Sequence, residues 1–313
     1  MFEALRALIE AHDVIILHRH KNPDGDALGS QIGLKHLLLE NYPEKQVYMV
    51  GDEAGRYAFM KDSVMDTVPD GLYPDALAII LDCSAPALIS DDRYTLAHAT
   101  ARIDHHLFCG TIAQVEALDS SYESCCGLIA EMALECGYLL TPLAAESLFT
   151  GMVTDSGRFR YDCTTSRTFR LAAFLTQQPI DTNALYANLY AVDLEQVQLR
   201  AKFALKIQFT PHRVAYIYTT RQEAAALGVD TFTISRGQVN VMADIKGVHI
   251  WVNFTEADQG VLCELRSDQT NINPVAVAFG GGGHQKASGA TVADRETALR
   301  MLDALDALAE ENA

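Results

Sequence analysis

The chain has no Cys-x-x-Cys pair, no apolar run approaching 18 residues, one tryptophan and no basic track. Each absence removes a class of protein. The seven cysteines (Cys83, Cys109, Cys125, Cys126, Cys136, Cys163 and Cys263) are odd in number and spread over 313 residues. They read as reduced thiols, because a chain of this length needs no covalent staples. Without a long apolar run there is no candidate membrane span. The opening "MFEALRALIEAHDVIILH" reads as an amphipathic helix and a short apolar strand, not as a signal peptide. The expectation is a soluble, cytoplasmic protein with no membrane partner. Basic residues are also scarce: 24 Lys+Arg stand against 41 Asp+Glu, a net charge of −17. Such a surface repels long nucleic acid, so long duplexes are not expected partners, whereas a small anion held through metal remains compatible. No repeat or low-complexity segment appears. The hydrophobic fraction of 49% is that of a globular protein with a real core, and the length favours two domains.

From residue 14, short apolar runs alternate with helical stretches. "VIIL" (14–17), "ALAII" (76–80) and "ARI" (101–103) read as buried parallel strands. "QIGLKHLLLE" (31–40), "CCGLIAEMALECG" (125–137) and "TPLAAESLFTGMVTD" (141–155) read as helices, the last with Thr141 as N-cap and Pro142 in the first turn. This alternation predicts an α/β fold with a mostly parallel sheet. Near residue 190 the texture changes. "DLEQVQLRAKFALKIQF" (193–209) predicts a long helix, and "RVAYIYTT" (213–220), "VHIWVNFTE" (248–256) and "GVLCELRS" (260–267) predict strands, the last two joined at "ADQG". A final helix starts near 294. The expected division is a catalytic domain over 1–190, a helical linker over 191–210 and a smaller α/β domain over 211–313.

The strongest local signal is "HRHKNPDGDALGS" (18–30), directly after the first strand. Pro23 and Gly25 turn the chain between His20, Asp24 and Asp26, and a tight turn can bring these side chains to one place. Imidazole and carboxylate donors suit Mn²⁺, Mg²⁺, Fe²⁺ or Zn²⁺. Taken alone, the turn also reads as a polar βα connection with Asp26 near a helix N-terminus, where its charge is favourable. The pattern recurs, however. Asp82 ends the second apolar strand, Asp104, His105 and His106 end the third, and Asp155 ends a helix before a Ser-Gly turn. In an open parallel sheet, ligands gather outside the carboxyl ends of the strands.

H-x-N-P-D-x-D, a strand-ending Asp, D-H-H and T-D-S-G-R-F occur in that order, followed by "FGGGGHQKASGA" (279–290). This set resembles the DHH phosphoesterase superfamily with its glycine-rich C-terminal domain, in the branch of bifunctional oligoribonucleases and pAp phosphatases (pAp is 3′-phosphoadenosine 5′-phosphate). The resemblance spans residues 18 to 290. It implies two divalent ions, most often manganese, with Mg²⁺, Fe²⁺ or Co²⁺ as alternatives. His20, Asp24 and Asp82 would hold one ion, and Asp26, Asp82, His105 and Asp155 the other, with Asp82 shared. Asp104 would support its neighbours, and His106 would face the substrate phosphate; these two are the implied catalytic residues. Either His105 or His106 is the ligand, with His105 preferred. Two cations about 3.5–4 Å apart suit in-line phosphoester hydrolysis.

The second domain is expected to set specificity. The amides of Gly281, Gly282 and Gly283 can cradle a phosphate, although a glycine run is also a common flexible turn. His284, Arg266 and Ser267 look like further substrate contacts, Arg266 as a bidentate phosphate grip. Lys286 is a weaker candidate, and Arg158 in "DSGRF" either touches substrate or braces the Asp155 loop. Trp251, Phe254 and Phe279 are aromatic enough to stack on bases, but the alternation in "VHIWVNF" favours core. The expected activity releases mononucleotides from short oligoribonucleotides and converts pAp to AMP. The alternative is hydrolysis of cyclic dinucleotides or of linear pApA and pGpG. A homodimer is also expected from the family resemblance. A non-catalytic nucleotide sensor would require a missing ligand, and none is missing.

Overall fold

The computed structural model describes residues 1–312. These divide into two compact units, Met1–Ala191 and Val192–Ala313, of which the final residue lies outside the description.

The first unit opens with α1 (Glu3–Ala11) and alternates strands with helices: β1 (Val14–Arg19), α2 (Gly25–Asn41), β2 (Gln46–Met49), β3 (Ala76–Leu81), β4 (Ala99–Asp104) and β5 (Val115–Leu118). The strands form one parallel sheet in the order β2-β1-β3-β4-β5. Between β1 and β3 the order reverses, which leaves a crevice at their carboxyl ends. Four helices follow: α3 (Cys125–Cys136), α4 (Pro142–Asp155), α5 (Ser166–Leu175) and α6 (Thr182–Tyr190). Both faces of the sheet are covered. Ile15, Leu17, Leu77, Ile79, Leu81, Ala101 and Ile103 pack on one side with α2, α3 and α4. The alternate residues Ile16 and Ile80 pack into smaller clusters on the other, as strand alternation requires.

Thr141 caps α4 by accepting the Ala144 amide, with Pro142 in the first turn. α2 begins at Gly25, earlier than its apolar pattern predicts, and lies unusually close to α4. A Cβ on Gly29 would stand 2.5 Å from the Ser147 carbonyl oxygen, and one on Gly33 would stand 2.6 Å from Leu148. Glycine at these positions lets two backbones approach where any side chain would hold them apart.

The second unit contains α7 (Leu194–Ala204), β6 (Gln208–Phe209), β7 (Ala215–Thr219), α8 (Arg221–Leu227), α9 (Thr231–Gln238), β8 (Ile250–Ala257), β9 (Gly260–Ser267), α10 (Asn273–Ala278), β10 (Gly282–Gly283), β11 (Ala287–Val292) and α11 (Arg295–Glu311). Its six-stranded sheet has the order β10-β11-β9-β8-β7-β6, antiparallel except for β7 with β8. The helix predicted over 193–209 ends at Ala204. Leu199 and Phe203, one turn apart on α7, pack with Ile217, Ile234 and Trp251, so this helix shares the core of the second unit. Among the described residues, no helix is long and apolar enough to cross a membrane.

Candidate active site

β1 and β3 are neighbours at the point where the strand order reverses, and the residues just beyond them begin the site. His20 follows β1, and Asp82 follows β3 in a left-handed conformation with φ of 52°. Asp24 is the N-cap of α2, its Oδ1 accepting the amides of Asp26 and Ala27. Asp104 ends β4, and His105 and His106 come next. Asp155 is the last residue of α4, drawn in by the close α2–α4 packing.

These side chains converge on Asp82, which is 2% exposed. Its Oδ2 lies 3.5 Å from His20 Nε2, and its Oδ1 lies 3.5 Å from both His105 Nε2 and His106 Nδ1. His20 Nε2 is also 3.8 Å from Asp24. His105 Nε2 is 3.7 Å from Asp26 and 3.3 Å from Asp155. Candidate ligand atoms therefore fall into three overlapping groups: His20, Asp24 and Asp82; Asp26, His105 and Asp155; and Asp82, His105 and His106. The two oxygens of Asp82 face different groups, which is the arrangement a shared ligand needs.

Backbone contacts orient the donors. His20 Nδ1 is 2.8 Å from the Lys21 carbonyl, and His105 Nδ1 is 3.3 Å from that of Tyr122, which leaves both Nε2 atoms for the centre. Asp26 is held by the N-terminus of α3, accepting the amides of Cys125 (2.7 Å) and Cys126 (2.9 Å). His106 differs: its Nδ1 is 2.7 Å from Asp104, and its side chain is half-exposed. Asp104 in turn accepts from Arg102 Nη2 at 2.6 Å, with both side chains fully buried.

Crowded carboxylates shift every titration here. Burial lowers His20, but the adjacent Asp24 and Asp82 carboxylates outweigh it and push the imidazole up to about 11. Burial likewise opposes His105, yet Asp82, Asp26 and Asp155 raise it to about 10. Asp155 is pushed up to about 7 by burial and by Asp82 and Asp24, against the pull of His105. Burial with Asp82 and Asp155 nearby lifts Asp26 well above the usual carboxylate range. Burial would raise Asp82 too, but the neighbouring His105 and His20 imidazoles hold it well below that range. The cluster thus takes up protons because its excess of negative charge calls for cations. Asp82 Oδ1 is buried and makes no hydrogen bond, although buried polar atoms nearly always find a partner. His/Asp donors with an orphaned central oxygen fit divalent ions.

The C-terminal candidates lie around β9, β10 and β11. Arg266 pairs with Glu264 at 3.2 Å and donates to the Leu265 carbonyl at 2.8 Å. The Ser267 hydroxyl donates to the Thr270 carbonyl, and its amide to that of Lys286. Gly282 and Gly283 pair with Gly289 and Ser288, and a Cβ on Gly281 would collide with the Gly289 carbonyl. Close strand contact is therefore a structural reason for the glycine run. His284 is exposed at the turn. Trp251 and Phe254 are buried in core clusters, and Phe279 packs partly buried against one of them.

Sequence reasoning missed Arg102 and the Cys125 and Cys126 amides. A charged residue inside a strand reads as surface, and a backbone donor leaves no mark in the sequence.

Residues 14–152 match the DHH family, N-terminal domain, and residues 225–311 match the DHHA1 domain. Over 307 residues the chain is 33% identical to the Bacillus subtilis protein named bifunctional oligoribonuclease and PAP phosphatase NrnA, with 97% of each chain covered. The chain belongs to the DHH family. A Mycoplasma genitalium protein of the same name is 32% identical over 299 residues, covering 94% of this chain and 93% of that one. Among solved structures, an exopolyphosphatase-related protein from Bacteroides fragilis superposes with a TM-score of 0.81 at 24% identity, covering 99% of this chain and 95% of that one. That likeness shows a shared fold across the DHH and DHHA1 regions.

Proposed function

We propose that the protein is a metal-dependent phosphoesterase that cuts short oligoribonucleotides to mononucleotides and converts pAp to AMP. The convergence of His20, Asp24, Asp26, His105 and Asp155 on buried Asp82 carries this reading. The full-length similarity to proteins named for both activities supports it.

Two divalent ions, manganese foremost, would be held by His20, Asp24 and Asp82 and by Asp26, Asp82, His105 and Asp155. When bound, such a pair lowers the pKa of a water and neutralises charge developing on the phosphoryl oxygens. The chain's own contribution is positional and protonic. Arg102 and Asp104 hold His106 by its Nδ1, so Nε2 is the nitrogen left to donate to a substrate phosphate. Burial would raise Asp104, but its His106 and Arg102 partners outweigh it and hold the carboxylate below the usual range, so it remains an acceptor at neutral pH. Arg266, Ser267, Gly281, Gly282, Gly283 and His284 of the second unit would grip the rest of the substrate. Pairing of two copies and a cytoplasmic setting accompany this reading.

A product time course in Mn²⁺ tests it, with pAp, pApA, pGpG, a five-nucleotide RNA and cyclic di-AMP as substrates and Asp82→Ala as control. Mononucleotides from RNA and AMP from pAp, both lost in the variant, are expected. If pAp and the linear RNAs stayed intact, the reading would fail. Opening of the cyclic compound at a comparable rate would move the assignment to cyclic dinucleotide turnover.

A further inference from the structure

Beside the acidic centre lies a cavity of about 220 Å³ lined in part by Asp24, Asp155, Arg56, Arg158, Arg160 and Tyr190. It shares two carboxylates with the centre, yet the rest of its charge is positive, in a chain with far more acids than bases. The backbone that builds it is unusual. Gly157, Arg158 and Phe159 are consecutive left-handed residues, with φ of 57°, 66° and 61°. Two adjacent non-glycine residues rarely adopt this conformation, and such runs persist where the surroundings enforce them. Here Phe159 supplies the enforcement. Its ring packs between Phe149 and Phe169, with centroids 5.9 and 5.7 Å away. Its amide donates to Ser156 Oγ, and the Arg158 amide donates to the Val153 carbonyl. The turn thus anchors Phe159 in the core while Arg158 and Arg160, on either side of it, line the cavity.

Two of these arginines are held by aromatic rings. Arg158 lies 4.5 Å from the Tyr190 ring centroid, and Arg56 lies 4.7 Å from that of Tyr57 and donates to its hydroxyl. Among the described residues, neither forms an ion pair with a carboxylate. Stacking fixes a guanidinium plane while leaving N–H groups on its edge for an oxyanion, which suits phosphate.

We propose that this cavity is a second phosphate subsite, which takes the non-scissile phosphate of a substrate carrying two. In pAp that group is the 5′ phosphate; in a short oligoribonucleotide it is the phosphate next along the chain. The subsite rests on the phosphoesterase reading above. It makes two-phosphate nucleotides the preferred class over simple phosphodiesters, because only they reach both the acidic centre and the arginines.

The test compares kcat/KM for pApA with that for bis(p-nitrophenyl) phosphate, which has one phosphate, in wild type, Arg56→Gln and Arg158→Gln. The two arginines lie in separate segments, so a folding failure in one variant, seen by thermal melting, leaves the other informative. Each change is expected to lower the pApA-to-reporter ratio by about tenfold or more, chiefly through KM, as loss of a charge-assisted phosphate contact should. An unchanged ratio, whether both substrates slow equally or neither does, would overturn the subsite and leave the phosphoesterase reading standing. A wild type inert toward both substrates would remove that reading, and the subsite with it.

Discussion

Arg102 Nη2 lies 2.6 Å from Asp104 Oδ2, and neither side chain has any exposure. The two residues are two apart on β4 and so share a face of the strand. Arg102 also reaches the Gly110 carbonyl at 3.0 Å and Glu116 at 3.2 Å, while Glu116 accepts the amides of Ile112 and Ala113. One buried guanidinium therefore ties Asp104, and through it His106, to the loop that returns to β5.

Removing that guanidinium leaves Asp104 buried without its cation. Arg102→Leu should cost about 3–5 kcal/mol of stability, the usual consequence of breaking a buried pair from one side. Urea denaturation measures this. Arg102→Lys keeps the charge but not the planar fork, so its loss should be smaller. In both variants kcat should fall more than metal affinity, because the nitrogen of His105 facing the acidic cluster is set by Tyr122 rather than by Arg102. Wild-type stability in Arg102→Leu would refute the structural role given to this pair.

Asp24 has two duties that one substitution can separate. Its Oδ1 caps α2 and also lies 3.8 Å from His20 Nε2. Asn caps a helix about as well as Asp, so Asp24→Asn should keep stability within about 0.5 kcal/mol. A neutral amide is a much poorer partner for a dication, so Mn²⁺ affinity should drop by about tenfold or more. Calorimetric titration of the metal, paired with thermal melting, distinguishes the duties. A large melting shift with unchanged Mn²⁺ binding would make Asp24 a capping residue only.

Most of the acidic centre is legible in the sequence, because its members stand where strands and helices end. His20, Asp82, Asp104, His105 and His106 follow or finish apolar runs, and Asp155 closes a helix capped by Thr141. The less legible parts are those that local pattern does not encode. β2 and β5 are four-residue edge strands with mixed burial, too short to announce themselves. Gly25, Gly29 and Gly33 depress helix propensity at the start of α2, and only contact with α4 explains them. Arg102 looks like a surface residue until its partners Asp104 and Glu116 are placed beside it.

The same glycines give a prediction of sign. In an exposed helix, Gly→Ala stabilises by about 1 kcal/mol. At Gly29 the added methyl would meet the Ser147 carbonyl oxygen at 2.5 Å and Cys126 Sγ at 3.1 Å. Backbone must move, so Gly29→Ala should destabilise by about 1–3 kcal/mol instead. The shift would also part Asp26 on α2 from Asp155 at the end of α4, lowering metal affinity. Gly71, whose Cβ would meet nothing within 4 Å, is the control, and Gly71→Ala should be nearly neutral. Equal effects at the two positions would exclude tight helix contact as the reason for Gly29.

The titrations of the centre fix how metal-free protein responds to alkali. His20, raised to about 11, and His105, raised to about 10, bind protons more tightly when folded than when unfolded. Their stabilisation is therefore complete below about pH 6.5 and is lost as pH rises through 10 to 11. Asp155, raised to about 7, acts in the same direction lower down, its folded form losing ground between the ordinary carboxylate value and 7. Asp82 acts oppositely, but only in acid, because its depressed value is passed far below neutrality. Chelated protein should accordingly melt at steadily lower temperature from pH 6 to pH 10. Divalent ions must displace the same protons, so Mn²⁺ binding should release protons and strengthen with pH over the lower part of that range. Calorimetry in buffers of different ionisation enthalpy counts the released protons. A metal affinity independent of pH, with no proton release, would mean that His20 and His105 are not where the ions bind.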